Sequence, residues 1–328
     1  VQPYQLALNL PKYSLVIAGP PSPAESLTVG KVVFSSDRTG QRQLYVKQVA
    51  SASAPAQITN SPFTPHHPAW SPDGNHIAYI DKTVVLCCGG QPIDALTFSN
   101  GSGAFQGAII GAQIGGSSLD NLGYPKWSPD GKKLVITVAP NGVWGGRYLK
   151  LIEFAVPYNF NTYTATTVVP TGVGAAEADF SPDGKYLYYS SDASGPSALW
   201  RIAVTGGAPL LVYANAAPIK RGFSVSVSPD GRKILYNSEL WKDDPVTNLD
   251  EELLQADLMT GVGIPMTREP GNQYGRYVKH GRGEYVMQSN VTSNGKADIF
   301  LATNNARVKL PIGDPTNIYD DREPDWWK

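Results

Sequence analysis

Acidic side chains form two runs in the sequence, and such runs could bind a hard cation such as calcium. The first run contains Asp243, Asp244, Asp250, Glu251 and Glu252, and the second contains Asp314, Asp320, Asp321, Glu323 and Asp325. Calcium takes about six to eight oxygen ligands, and carboxylates supply them well. Neither run has the Asp-x-Asp-x-Asp-Gly spacing of a calcium loop. Two interpretations stay open: solvated acidic loops, or a weak calcium site at Asp243, Asp244, Asp250 and Glu251.

Histidines are the other candidate metal ligands, and the chain has His66, His67, His76 and His280. The first two precede a strand, whereas the other two follow turns. In the repeat described below, this places the two pairs at opposite ends of the fold, so a cluster of four is not expected. A two-histidine site at His66 and His67 is one interpretation, and a pair of polar loop residues is the other.

Motifs of nucleophilic or cofactor chemistry are missing from the sequence. It has no Gly-x-Ser-x-Gly elbow, no glycine-rich phosphate loop and no Cys-x-x-Cys-His haem motif. No cofactor is therefore predicted, apart from the possible calcium. The two cysteines, Cys87 and Cys88, are adjacent, which allows either two packed thiols or a strained vicinal disulfide.

The composition narrows the classes of protein and partner. The chain has 328 residues, with 27 basic and 28 acidic, so it lacks the basic excess that binding to nucleic-acid backbones requires. No apolar run of about 18 residues occurs, so no membrane span is predicted. With 33 Gly and 27 Pro, many short strands and turns are expected rather than helices. The first residue is Val1, so the chain is interpreted as either a processed product or a trimmed chain. The expected location is exported: periplasmic, cell-surface or extracellular.

One five-residue pattern recurs four times, at intervals of 47 to 57 residues. It reads Trp70-Ser-Pro-Asp-Gly74, Trp127-Ser-Pro-Asp-Gly131, Phe180-Ser-Pro-Asp-Gly184 and Val227-Ser-Pro-Asp-Gly231. Pro fixes φ, Asp caps the turn with its carboxylate, and Gly supplies a positive φ. A bulky residue before this turn and an apolar strand after it predict an antiparallel hairpin in each unit.

Two further units are degenerate. Residues 273–303 keep the spacing of strands and turns but lack the five-residue pattern. The last unit is divided between the two ends of the chain. Val32 to Val46 supplies its second and third strands, and Glu323 to Trp327 supplies its first. Six units of about four strands predict an all-β, six-bladed β-propeller of four-stranded antiparallel blades over residues 28–328, with its ring closed by the C-terminal strand.

The repeat resembles that of the TolB-type propellers, also described as a WD40-like Pro-Asp repeat. The likeness rests on Trp70-Ser-Pro-Asp-Gly74, Ser36-Asp-Arg-Thr-Gly40 and Leu44-Tyr-Val46, and it covers about 90% of the chain. It implies the propeller fold and, by analogy with TolB, a periplasmic scaffold role. The same fold occurs in prolyl oligopeptidase-like peptidases and in oligogalacturonate lyase, so it does not fix the function. The sequence lacks the large domain that precedes the propeller in TolB itself.

The loops that enter the innermost strands should converge at one mouth of the channel, which is the expected ligand site. These loops supply His66, His67, Asn121, Tyr124, Glu177, Arg221, Phe223, Tyr274, Arg276, Asp320 and Asp321. Such polar and aromatic groups suit a peptide or a sugar. We therefore expect a non-catalytic module that binds a protein or peptide partner. A carbohydrate-active lyase or hydrolase, and a structural subunit of a surface assembly, are the alternatives.

Two segments lie outside this scheme. Residues 1–27 have two apolar stretches and a Pro-rich linker, which predict an extended arm. The arm either packs on its own propeller or adds a strand to a neighbour, which would produce self-association. The stretch from Thr97 to Leu122 is rich in Gly and Ser, and it is predicted to be a long loop of functional or mobile character.

Overall fold

The computed structural model of the chain describes residues 27–84, 92–191, 198–214, 222–238, 252–267, 273–278, 280–289, 296–303, 307–310 and 319–328. Within these ranges, 24 strands form six separate four-stranded antiparallel sheets. The six-bladed β-propeller predicted from the repeat is confirmed. Each sheet is one blade, and in four of the blades the innermost strand comes directly before the repeated turn.

The blades are numbered from the first sheet that is continuous in sequence. Blade one contains β4 (His66–Trp70), β5 (His76–Val84), β6 (Pro92–Asn100) and β7 (Phe105–Ile110). Blade two contains β8 (Asn121–Trp127), β9 (Lys133–Ala139), β10 (Tyr148–Phe154) and β11 (Tyr163–Val169). Blade three contains β12 (Ala175–Phe180), β13 (Tyr186–Ser191), β14 (Ala198–Ala203) and β15 (Leu210–Ala214).

The other three blades follow the same order, except that the sixth joins both ends of the chain. Blade four contains β16 (Gly222–Val227), β17 (Lys233–Ser238), β18 (Glu252–Asp257) and β19 (Gly263–Pro265). Blade five contains β20 (Gln273–Tyr277), β21 (Tyr285–Ser289), β22 (Asp298–Ala302) and β23 (Arg307–Lys309). Blade six contains β24 (Asp321–Trp327), β1 (Lys31–Ser36), β2 (Gln43–Gln48) and β3 (Ala56–Gln57).

Blade six closes the ring in the predicted way. β24 pairs antiparallel with β1, so that Trp326 lies opposite Val32 and Trp327 lies opposite Lys31. The Trp326 side chain is buried in a cluster with Val32 and with Val278 of blade five. Pairing of the two chain ends therefore removes the exposed sheet edge that an open ring would have.

The repeated turn has the geometry that its residue types predict. In blade two, the Ser128 hydroxyl donates a hydrogen bond to Asp130 Oδ1 at 2.6 Å, and the Lys132 N–H donates to the same oxygen at 3.0 Å. Gly131 has φ of 69°, a value that residues with a Cβ rarely adopt. The aspartate of this pattern is thus a turn former, since its carboxylate holds the loop that connects two strands.

Apolar side chains fill the space between neighbouring blades. Trp127 of blade two has its ring centroid 6.0 Å from that of Phe98 in blade one and 5.8 Å from that of Phe154 in its own blade. All three side chains are buried in one cluster. Burying a large side chain is worth about 1.5–3 kcal/mol, so the packing of blade on blade stabilises sheets that could not cover both faces alone.

The long loop predicted from Thr97 to Leu122 is not observed, and that prediction was wrong. This stretch contains the end of β6, the whole of β7, a short helix α1 (Gly111–Ile114) and the start of β8. Gly and Ser are tolerated there because β7 is an outer strand with exposed positions, and Phe105 on it is 69% exposed. Two 3₁₀ turns, Pro140–Gly142 and Trp144–Gly146, connect β9 to β10.

Several predictions fall outside the described residues. These are the arm except for Leu27, the state of Cys87 and Cys88, and the calcium candidates Asp243, Asp244, Asp250 and Glu251. Leu27 itself is buried beside the blade five and blade six core. The division into an arm and a propeller stays a prediction for residues 1–26.

Candidate functional site

Four innermost strands have a bulge with a positive-φ residue at the same position of the repeat, three residues before the one that Trp70 occupies in blade one. His67, Tyr124, Ser224 and Glu323 have φ values of 51°, 55°, 55° and 54°. In each of these strands the pairing register shifts at or next to that residue. A residue with a Cβ costs about 1–3 kcal/mol in this conformation. The fold therefore holds backbone strain at one level of the central channel.

The channel is crossed just below this level by one side chain. Arg276 of blade five donates from Nη1 to the Pro68 carbonyl of blade one at 3.0 Å, and from Nη2 to Glu177 Oε1 of blade three at 3.2 Å. Because the innermost strands surround the channel, a side chain that connects blades five, three and one has to span it. Arg276 is 1% exposed, so the channel is closed at this point.

Glu177 is the centre of the charged group that closes the channel. Besides Arg276, its Oε1 lies 3.3 Å from Lys126 Nζ, and its Oε2 accepts a hydrogen bond from the Tyr274 hydroxyl. Burial, and then the neighbouring Arg276 charge, lower the pKa of Lys126 to about 8. We call Lys126, Glu177 and Arg276 the channel floor. A carboxylate with two cationic partners and a phenol donor is fully paired in this buried setting.

Above the floor, half-buried side chains from four blades meet. The His67 backbone N–H donates to Glu323 Oε2 at 2.7 Å, and its Nε2 lies 3.3 Å from Glu323 Oε1. The His67 ring contacts those of Tyr124 and His66, with centroids 3.9 Å and 4.6 Å away. Together with Tyr274, these residues form what we call the mouth cluster.

Within the mouth cluster, His67 and the two tyrosines are uncharged and lie beside the Glu323 carboxylate. Burial lowers the pKa of His67 to about 3, against the opposing effect of Glu323, so the imidazole is neutral at pH 7. Burial, and then the charge of Glu177, raise the pKa of Tyr124 and of Tyr274, which keeps both phenols protonated. The arrangement can donate and accept hydrogen bonds and can stack on a ligand, whereas acid–base catalysis favours groups with a pKa near the working pH.

Three channel residues at the position directly before the turn pattern, two places closer to the turn than the positive-φ residues, join one blade to the next. Asp325 Oδ2 accepts the Trp70 N–H at 2.6 Å, Asp179 Oδ2 accepts the Val227 N–H at 3.0 Å, and Ser226 Oγ accepts the Tyr277 N–H at 2.9 Å. The innermost strand of each blade is a sheet edge, so its outward N–H groups need such partners. Sequence reasoning missed this role, and it missed Lys126. Aligning the units and counting back one residue from the turn pattern would have found them.

The structure brings six of the predicted mouth residues together and leaves the others apart. His66, His67, Tyr124, Glu177, Tyr274 and Arg276 converge as described. Asp320 is paired with Arg42 at 2.6 Å, and Asp321 with Arg38 at 2.8 Å, in blade six. Asn121 is half-buried at the start of β8 without a described contact to the mouth cluster. Arg221 and the side chain of Phe223 lie outside the described residues.

Metal binding has no support in the described part of the chain, where no three His, Cys, Asp or Glu residues are grouped to hold an ion. The four histidines lie at two ends of the fold, two at each end. His66 and His67 are at the mouth, whereas His76 contacts Asp73 at 3.6 Å and His280 contacts the Pro72 carbonyl at the turn end. Among the described helices, none is long and apolar enough to cross a membrane.

Solved structures with the same fold include two TolB proteins and a lyase. TolB from Acinetobacter baumannii aligns with a TM-score of 0.68 at 19% identity, over 91% of this chain and 67% of that one. A putative TolB from Agrobacterium tumefaciens aligns with a TM-score of 0.55 at 14% identity, over 91% and 99%. An oligogalacturonate lyase in complex with manganese aligns with a TM-score of 0.54 at 15% identity, over 85% and 73%. No protein-family model and no curated protein matches the sequence. The chain therefore has the TolB-like propeller fold.

Proposed function

We propose that this chain is a non-catalytic binding or assembly module, exported from the cytoplasm, whose mouth cluster holds a segment of a protein or peptide partner. The observation that carries the proposal is the convergence of His66, His67, Tyr124, Tyr274 and Glu323 over a closed floor. Half-exposed tyrosine rings offer contact area at a low cost in side-chain entropy, and Glu323 offers a hydrogen-bond acceptor.

The floor favours binding at the surface of the mouth over passage through the channel. Since Arg276 spans the channel, a ligand entering from this side stops at Tyr274 and Glu177. The TolB-like fold supports an exported binding role by analogy alone. Self-association through residues 1–27 and a structural role in a surface assembly remain proposals of the same kind.

Variants at two positive-φ tyrosines test the mouth. Asparagine tolerates this backbone conformation, so Tyr124→Asn removes a mouth ring without adding strain. Tyr158→Asn is the matched control, because Tyr158 has φ of 60° but packs against His76 at the turn end. A partner captured from the native source is then purified and titrated by calorimetry. We expect weaker binding by at least about tenfold for Tyr124→Asn only, and equal affinity for both variants contradicts the proposal.

One observation favours a carbohydrate-active lyase or hydrolase as the second candidate. Lys126, with its pKa lowered to about 8, is a possible proton acceptor near neutral pH, and the lyase neighbour has the same fold. This candidate requires that Lys126, whose side chain is 4% exposed, becomes accessible to substrate. Turnover of acidic oligosaccharides by the wild type that is lost in Lys126→Met would support it. No turnover by either protein would leave the binding module as the remaining proposal.

A further inference from the structure

A second concave site lies at the opposite end of the channel. It is a cavity of about 270 Å³ lined by residues of blades one to five, namely Trp70, Pro72, Trp127, Ser128, Pro129, Phe180, Pro182, Val227, Ser228, Pro229 and His280. Because five blades contribute, the cavity lies on the propeller axis. Along the innermost strands, the channel floor comes between this axial cavity and the mouth cluster, so the two sites are separate.

The walls of the axial cavity are mainly rings. They are the indoles of Trp70 and Trp127, the phenyl ring of Phe180 and four prolines. The Ser128 and Ser228 hydroxyls already donate to Asp130 and Asp230 within their turns, both at 2.6 Å. An engineered cavity of about 150 Å³ can hold benzene, and pockets for drug-sized ligands start near about 300 Å³. The axial cavity therefore has room for one substituted aromatic ring.

His280 is the one imidazole among the residues that line this mainly apolar cavity. Its Nε2 lies 2.7 Å from the Pro72 carbonyl oxygen. A carbonyl can only accept a hydrogen bond, so Nε2 carries a hydrogen, and in the tautomer with its only hydrogen on Nε2 the other nitrogen, Nδ1, is an acceptor. Within the part of the chain that the structure describes, no residue donates to Nδ1. A ligand with an N–H or O–H group would satisfy it.

The two units that lack the repeated turn place their different residues next to this cavity. Blade five has His280 where four other blades have the turn aspartate, and blade six ends on Trp327 and Lys328. The Trp327 indole donates to the Pro72 carbonyl at 3.0 Å, and its ring centroid lies 6.3 Å from that of His280. The two blades that lack the repeated turn therefore have their exceptional residues beside the same cavity. Local departures of this kind are expected at functional sites.

We propose that the axial cavity binds one aromatic ring that carries a hydrogen-bond donor, and that this ring is a tyrosine or tryptophan side chain of a partner protein. The ring would pack on Trp127, Phe180 and the prolines while its O–H or N–H donates to His280 Nδ1. Since the cavity holds little more than a ring, the partner backbone would lie on the surrounding turns. The axial cavity is a separate site from the proposed mouth cluster, and it would bind a different chemical group of a ligand.

The test is a titration of the full chain with N-acetyl-tyrosinamide, N-acetyl-phenylalaninamide and 4-methylphenol. Binding is followed by tryptophan fluorescence and by the imidazole signals of His280 in NMR spectra. We expect saturable binding of the tyrosine compound, about tenfold tighter than that of the phenylalanine compound, because only the former has a hydrogen-bond donor on its ring. His280→Ala should remove this difference. His76→Ala is the control, since His76 lies at the same end of the fold without lining the cavity, and it should preserve the difference.

Three results would overturn the proposal. Absence of saturable binding of any probe would reject the cavity as an aromatic site. The hydrogen bond to His280 Nδ1 would be rejected by equal affinities for the tyrosine and phenylalanine compounds. It would also be rejected if folded His280→Ala kept the wild-type difference in affinity between them. If 4-methylphenol binds and N-acetyl-tyrosinamide does not, the cavity admits free phenols but not a tyrosine side chain attached to a polypeptide. Each result is independent of the mouth, because the Tyr124→Asn variant should bind all three probes like the wild type.

Discussion

The Asp325 carboxylate accepts the backbone N–H of Trp70 at 2.6 Å, and so the last strand of the chain is bonded to the first strand of blade one. Asp179 makes the same contact between blades three and four, with the Val227 N–H at 3.0 Å. The residues that hold the ring together therefore lie in the channel as well as in the cores between blades.

Replacement of Asp325 tests the contribution of this contact. Asp325→Ala leaves the Trp70 N–H buried without its acceptor, which should lower the free energy of unfolding by about 1–3 kcal/mol. Asp325→Asn keeps one acceptor oxygen and should lose less. Urea unfolding of the three proteins provides the measurement. If Asp325→Ala is as stable as the wild type, the contact does not hold the blades together.

Removal of β24 tests ring closure directly. A chain ending at Asp320 lacks the strand that pairs with β1 and leaves the cluster around Val32 without Trp326. Loss of a buried tryptophan alone costs about 3–5 kcal/mol, so the melting temperature should fall by about 10 °C or more. A chain that lacks only Lys328 is the control and should melt close to the wild type. An unchanged melting curve for the longer truncation would contradict closure.

A double-mutant cycle tests the channel floor. Arg276→Met removes one of the two cationic partners of Glu177 and should cost about 3 kcal/mol, because a buried carboxylate becomes underpaired. Adding Glu177→Gln should recover part of this loss, since the remaining side chain is neutral. Chemical denaturation of the wild type, both single variants and the double variant gives the coupling energy. Purely additive effects would show that the two groups do not interact.

Stability should fall as the pH falls from about 6.5 to about 5, partly because of His67. Its pKa is lowered to about 3 in the folded chain, whereas the unfolded chain has an ordinary value near 6.5. Between these values the unfolded state binds more protons, so acid favours unfolding by up to about 1.4 kcal/mol per pH unit. His67→Asn, which tolerates the backbone conformation, should flatten this part of the curve. An equally steep curve for the variant would show that His67 is not the titrating group.

Two glycines of the repeated turn should respond differently to the same substitution. Both Gly74 and Gly184 have positive φ, of 67° and 69°. A Cβ on Gly74 would come within 2.3 Å of the Trp327 ring, whereas one on Gly184 would meet only Pro129 at 3.7 Å. Gly74→Ala should therefore destabilise the chain by about 1–3 kcal/mol more than Gly184→Ala in thermal or urea unfolding. Equal losses would place Trp327 away from the blade one turn.

The repeat made the architecture predictable, because each turn pattern specifies a hairpin from local residue types alone. Trp70 to Gly74 and its three copies gave the hairpins of four blades, and Glu323 to Trp327 was recognised as the missing strand by its likeness to them. The stretch from Thr97 to Leu122 was misread, since an exposed outer strand needs few apolar residues and resembles a loop in composition.

The site was predictable in its location and less so in its contacts. Chain order places His67, Tyr124 and Tyr274 at the same level of the ring, and the structure joins them. The contact of Arg276 with Pro68 across the channel depends on the width of the channel and on the direction of the side chain. Neither can be predicted from a local sequence pattern. The bulges likewise depend on how each innermost strand fits the ring.

The pairing of β24 with β1 has a consequence for synthesis of the protein. On the ribosome, β1 cannot pair with β24 (Asp321–Trp327) until that strand emerges about 290 residues later. Until then β1 presents an unpaired edge to the surrounding medium. For most of its translation, the nascent chain therefore has an unpaired strand edge that could pair with other chains and aggregate. Chaperones, or export before translation is complete, would protect this edge from aggregation.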